Sequence, residues 1–131
     1  MNKVDRGPLF PPVKRHGDLL FLSGQAPVDT TTFELVAEGF TAQVAHVLAT
    51  VERLLTEGGS SMSSVLRVEC MLADPADFTA WNQAFEGSFP QPRPARTTVV
   101  TGFVVPGMLV ELQLIACVIA DPETNWTPAH D

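Results

Sequence analysis

The residue best suited to chemistry in this sequence is Arg96, in the stretch PARTTVV that begins at Pro94. It places a guanidinium among β-forming residues, in a chain with only 8 basic side chains. A guanidinium holds a carboxylate through two parallel hydrogen bonds, so Arg96 reads as the anion anchor of a small-molecule site. A surface arginine at a strand start, or one paired structurally with a glutamate, fits the same residues.

Three further stretches carry candidate groups. In FLSGQAP, Ser23 and Gly24 close an apolar run. Ser23 offers a hydroxyl, and Gly24 lets a ligand or another backbone approach closely; an ordinary strand-ending turn has the same composition. In LVELQLIAC, period-two alternation puts Glu111, Gln113 and Ile115 on one face and Val110, Leu112, Leu114 and Ala116 on the other. Such polar side chains either line a wet cavity or face solvent at an edge, because buried polar groups need partners. Asn82 lies within the aromatic run FTAWNQAF, where it reads as exposed or as a local hydrogen-bonder. His16, His46 and His130 have no ligand-spaced partners, and Cys70 and Cys117 lack CxxC or CxxH spacing. No metal and no cofactor is therefore expected. GxSxG and phosphate-binding glycine loops are also missing.

The elements that must position these groups follow from pattern. VKRHG and DLLFLSGQAP read as two strands about a turn at Gly17-Asp18. VDTTTFELVAEG is loop, with a short extended piece at Phe33 to Val36. From Phe40 to Glu57, Phe40, Val44, Val47, Leu48, Val51, Leu54 and Leu55 recur at three- and four-residue steps, which predicts a helix. Gly58-Gly59 ends it. SSVLRVECMLAD alternates as a strand, with Val65, Arg67, Glu69 and Met71 on one side and Leu66, Val68, Cys70 and Leu72 on the other. A second helix opens at DPADF, with Asp74 as cap, Pro75 at its first position and Asp77 at its positive end. Its stripe is Phe78, Trp81, Phe85 and Phe89, and PQPRPA stops it. Strands near Arg96 to Thr101 and Leu109 to Ile119 complete the order β-β-α-β-α-β-β, with Pro106-Gly107 turning between them. Two helices with one apolar face each are expected to cover the same face of a mixed sheet, and self-association to cover the other.

Length and composition bound the rest. A chain of 131 residues with 45% hydrophobic content suits one domain over 1–131, its core near 13–120 and a tail over 121–131. The formal net charge of -7 argues against nucleic acid as a partner, since phosphate backbones call for a basic surface. No stretch has the length of a membrane span, and MNKVDRGPLFPP lacks a signal-like apolar run. With two unpaired-looking cysteines, the expected location is cytoplasmic.

Taken together, GDLLFLSGQAP, QVAHVLATVERLLTEGGSSMSSVLRVECMLAD, FTAWNQAFEGSF, PARTTV and VELQLIA resemble the Rid (YjgF-like) family of reactive-intermediate enamine/imine deaminases, formerly labelled translation-initiation inhibitors. The resemblance runs from about Val13 to Ala120. It implies an α+β, chorismate-mutase-like fold, a homotrimer, and ligand clefts between neighbouring subunits. It assigns Arg96 to the substrate carboxylate and Ser23 and Gly24 to the cleft lining. The backbone of Thr98 would contact ligand or water, and Asn82 matches the helix asparagine. The sequence departs from the best-known branch in three places. Gln113 stands where that branch has a water-activating glutamate, Thr98 stands where it usually has cysteine, and the tyrosine expected near Leu9 is missing from a chain with no tyrosine. The implied reaction is hydrolysis of a 2-aminoacrylate or 2-iminopropionate type compound to a 2-oxo acid and ammonia. Arg96 would be the anchor, Gln113 would position water, and Glu111 is a possible replacement base. A Rid branch acting on another substrate, such as an aminomuconate-type product, is an alternative. So is a non-catalytic trimer that binds small carboxylates.

Overall fold

The computed structural model describes residues 9–119. They form β1 (Val13–His16), β2 (Leu19–Gln25), α1 (Phe40–Glu57), β3 (Val65–Leu72), α2 (Phe78–Ser88), β4 (Ala95–Val100) and β5 (Val110–Cys117), the order expected from pattern. Leu9 and Phe10 are exposed. The expected tail, with Trp126 and His130, lies outside the described residues.

The strands make one sheet in the order β1-β2-β5-β3-β4. β3 and β4 are parallel, and the other neighbouring pairs are antiparallel. Parallel neighbours need a crossover, which α2 supplies between β3 and β4. β2 and β3 both run against β5, and α1 carries the chain between them. The turn at Pro106-Gly107 is present, with Gly107 at φ 89°, but it does not close a hairpin. β3 lies between the strands it joins, so the turn ends a crossing over the end of the sheet.

Both helices pack on one face, as two single-sided amphipathic helices must. Val44, Val47, Val51, Leu54 and Leu55 of α1 and Trp81 and Phe85 of α2 share one cluster with Leu20, Leu22, Val68, Leu72, Leu112 and Leu114 of the sheet. Phe89 closes that cluster beyond α2, and Phe85 and Phe89 rings lie 5.1 Å apart. α1 ends at Glu57; Gly59, at φ 80°, takes the left-handed conformation just beyond it, which a β-carbon would oppose. Asp74 caps the entry to the second helix by accepting from the Ala76 N–H at 2.8 Å. One turn of 3-10 helix over Pro75–Asp77 precedes α2.

Two features correct the simple alternation. Val65 pairs with Ala116 and Arg67 with Ile115, so β3 carries one extra residue against β5. This bulge turns Val65 into the core and leaves Leu66 46% exposed, the reverse of the expected sides. A second bulge falls at Ser23-Gly24, between the pairs Leu22–Leu114 and Gln25–Leu112. Cys70 is buried, and Cys117 is half-buried on the sheet face away from the helices.

That other face carries Phe21, Arg67, Glu69, Met71, Glu111, Gln113, Ile115 and Val99 in strand-alternating positions. Phe21 is 40% exposed and Val99 47% exposed. Arg67 donates to Glu69 at 3.2 Å and to the Thr97 hydroxyl at 2.9 Å.

Candidate functional site

Arg96 pairs in register with Val68, whose side chain is fully buried under the helices. Its guanidinium therefore leaves the edge strand β4 on the helix side and meets α2. Phe78, Asn82 and Phe85 recur at helical steps and present one face to it. Arg96 Nη2 donates to Asn82 Oδ1 at 2.5 Å, a short bond. The guanidinium carbon lies 4.8 Å from the Phe85 ring centroid and 5.7 Å from that of Phe78. Two ring faces at that range hold a cation by its attraction to their quadrupoles. Among the described residues no acidic side chain forms an ion pair with Arg96. It is thus oriented without being neutralised. The structural arginine–glutamate pair allowed by the sequence does not occur among these residues.

An open cavity of about 240 Å³ lies beside the guanidinium, lined by Asn82, Phe85, Glu86, Arg93 and Arg96. Arg93 is exposed, and its Nη2 reaches the Glu86 backbone carbonyl at 3.5 Å. Below the site, the fully buried Trp81 donates from Nε1 to the Thr98 hydroxyl at 3.2 Å. Thr98 stands opposite Cys70 in β3. Burial pushes the Cys70 thiol up to about 12, with the nearby Arg96 charge opposing the rise. Arg96, Asn82 and Thr98 are thus brought together as one cluster. The asparagine that the sequence left as exposed or locally bonded is half-buried and orients the arginine.

Ser23, Gly24, Glu111 and Gln113 are assembled elsewhere. β2 is three strands from β4, roughly 14 Å at about 4.8 Å per strand. Glu111 and Gln113 project from the face opposite α1 and α2, because their neighbours Val110, Leu112 and Leu114 are in the core. Gln113 is exposed there. Glu111 is half-buried, and burial raises its carboxyl above the usual carboxylate range. Gly24, at its bulge, lies close under the end of the Glu111 side chain: a β-carbon there would displace the Glu111 carboxylate. The Ser23 hydroxyl donates to the Pro11 carbonyl at 2.6 Å, and its N–H to that of Pro12 at 2.9 Å. Ser23 therefore ties the incoming chain to β2.

Sequence reasoning missed Arg93, Glu86 and Phe85 as cavity walls, and the ring of Phe78 as a support for the Arg96 guanidinium. Phe78 belongs to the apolar stripe of α2 by spacing, yet it is 44% exposed. The spacing did hold a signal, since Phe78, Asn82 and Phe85 follow at successive helical turns and Arg93 precedes Arg96 by three residues, with Pro94 between them.

Among the described residues no cluster of histidine, cysteine or acidic side chains has a metal-binding arrangement. No helix among them is long and apolar enough to cross a membrane.

Residues 6–118 match the family described as Endoribonuclease L-PSP. The 3-aminoacrylate deaminase RutC of Acinetobacter baylyi is 34% identical over 111 residues, covering 83% of this chain and 88% of that protein. The chloroplastic Reactive Intermediate Deaminase A of Arabidopsis thaliana is 34% identical over 110 residues, 84% of this chain and 58% of that protein. Among solved structures, RidA from an Antarctic Psychrobacter superposes with a TM-score of 0.76 at 28% identity, over 88% of this chain and 97% of that one. A YjgF-family member from Neisseria meningitidis gives 0.76 at 29% identity, over 86% and 90%. The family match spans nearly all the described residues and the structural neighbours share the sheet and both helices, so the chain belongs to the Rid/YjgF family.

Proposed function

We propose that the protein is a deaminase that hydrolyses a small imine or enamine acid to an oxo acid and ammonia. The observation that carries this reading is Arg96: a guanidinium clamped by Asn82 and two aromatic faces, open to a cavity, with no acidic partner among the described residues. The relatives named as deaminases support the same class.

The enamine first moves a proton from nitrogen to carbon and becomes the imine R–C(=NH)–COO⁻. Water then adds across C=N, its oxygen bonding to carbon and a proton going to nitrogen. Collapse of that adduct breaks the C–N bond and releases ammonia and R–CO–COO⁻. Arg96 holds the carboxylate, which fixes the imine carbon relative to one water. No metal or organic cofactor is called for.

The water must be held by groups that one chain keeps on the opposite sheet face. A homotrimer solves this by laying the β4 edge of one copy against the open face of the next. Gln113 and Glu111 of that copy then face the Arg96 cavity across a cleft. The Gln113 amide accepts from water through oxygen and donates through nitrogen, but it is no base. Glu111, its carboxyl already raised by burial, is the candidate base. Ser23 and Gly24 shape the cleft, and the outer backbone of β4 near Thr98 offers further hydrogen bonds. The same trimer covers the half-exposed apolar side chains of the open face. An acidic chain with two free cysteines fits a cytoplasmic enzyme without a nucleic-acid partner.

The test generates 2-iminopropionate from alanine with an amino-acid oxidase and follows its decay. The wild type should accelerate the decay, and Arg96→Ala should lose at least about tenfold of the enzyme-dependent rate, as expected for a lost charge-assisted contact. Equal rates for the two proteins would remove Arg96 from the mechanism. The name of the Acinetobacter relative favours a second substrate, 3-aminoacrylate, whose imine tautomer would give a 3-oxo acid by the same steps. It belongs in the same assay.

A further inference from the structure

The cavity beside Arg96 has a second cation that the reaction does not use. Arg93 lines it too, with Asn82, Phe85 and Glu86. Among the described residues Arg93 has no acidic partner, and its one hydrogen bond is the 3.5 Å contact with the Glu86 carbonyl, at the limit of such bonds. Most of its donors are therefore available to a ligand. Its backbone is stiffened from both sides. Pro92 fixes its own φ, and Pro94 restricts Arg93 to extended conformations. Arg93 and Arg96 are three residues apart, so their Cα atoms are separated by at most roughly 10 Å of extended chain, and their long side chains converge on one opening. In a chain of net charge -7, two guanidinium groups on one small cavity, against the single carboxylate of Glu86, make a local positive site. At ~30 Å³ per water, the cavity of about 240 Å³ has room for a short organic acid.

We infer that Arg93 is a specificity-determining residue that receives a second carboxylate, so that the preferred ligands are short dicarboxylates, namely imines derived from acidic amino acids. This rests on the reading of Arg96 as the anchor for the carboxylate next to the imine carbon. Arg96 takes that group, and Arg93 takes the one at the far end of the side chain.

The experiment titrates the full chain calorimetrically with oxaloacetate and 2-oxoglutarate, and with pyruvate and 2-oxobutyrate as single-carboxylate controls. Wild type should bind the diacids about tenfold more tightly than the monoacids. Arg93→Ala should abolish that preference and leave pyruvate affinity unchanged within about twofold. Arg93 is exposed, and an unchanged circular dichroism spectrum and melting temperature confirm that its variant is folded. Equal wild-type affinity for both acid classes overturns the proposal, as does an equal loss for both classes in Arg93→Ala. Turnover of iminosuccinate and 2-iminopropionate is a separate readout. A diacid preference without hydrolysis of either imine defeats the deaminase reading and leaves the Arg93 subsite standing. Hydrolysis without a diacid preference does the opposite.

Discussion

Arg96, Asn82 and Cys70 show how neighbours set what a side chain does. The arginine keeps its charge available because an amide and two rings orient it, where a carboxylate would have quenched it. Beneath it, Cys70 is the opposite case: a thiol whose charge is suppressed. An ordinary cysteine here would titrate near 9.0, and burial moves Cys70 to about 12. The folded pKa is raised, so this contribution to stability is fully present below 9.0 and is lost as pH rises through about 12. Cys70 is accordingly expected to resist iodoacetamide in the native protein at pH 9 and to react once urea unfolds it, as peptide mass spectrometry would report. Rapid native labelling of Cys70 would contradict its burial. Asn82 and Phe85 acquire their roles from position alone, since nothing in their types distinguishes a cavity wall from a core or surface residue.

Helix α1 and the crossing loop before β5 are joined by one polar side chain. Gln43 is 1% exposed and falls on the apolar stripe between Phe40 and Val47. Its amide nitrogen donates to the Gly107 carbonyl at 2.9 Å and to the Ala37 carbonyl at 3.2 Å, and its oxygen accepts from the Leu109 N–H at 2.7 Å. It thereby pins the Pro106-Gly107 turn, which delivers β5 in register between β2 and β3. Replacement by leucine keeps the volume but leaves three backbone groups without their partner. Gln43→Leu should cost about 2–4 kcal/mol, read as a lowered urea midpoint with an unchanged slope. A change below about 0.5 kcal/mol would mean that water replaces the amide fully. The loop before α1 is ordered by a similar local device. Asp29 accepts from the N–H groups of Thr31 at 2.8 Å and Thr32 at 2.9 Å, and these bonds, Thr32 first, hold its carboxyl below the usual range.

For the molecule as a whole, the sheet is half-covered. One face carries both helices, while Phe21, Met71, Val99 and Ile115 of the other are left partly exposed around Arg67, Glu69 and Gln113. The proposed trimer requires that face at the contact between copies. Sedimentation should find a trimer for the wild type and a smaller species for Phe21→Glu, with imine hydrolysis falling together with assembly. A catalytically active monomer would refute the shared cleft. Loss of assembly with activity intact would show that Gln113 and Glu111 of a second copy are not needed.

Much of the fold was legible because each element carries its own period. The apolar steps of Phe40 to Glu57 and the alternation of Val110 to Cys117 can each satisfy only one backbone geometry against a core. Asp74-Pro75 and Gly59 mark ends for local steric and hydrogen-bonding reasons. The sequence likewise singled out Arg96, because a cation in a β-forming run needs a reason. Strand order was not legible, since period two says which face a residue takes but not which strand it pairs with. Nor were the bulges at Leu66 and Ser23-Gly24, where one extra residue shifts the register for packing reasons that lie in another strand. Only the tertiary structure decided that Arg96 meets Asn82 and Phe85, beside a cavity it shares with Arg93, on one side of the sheet while Glu111 and Gln113 stand on the other. Those placements depend on contacts between residues distant in the chain, and local sequence carries no term for them.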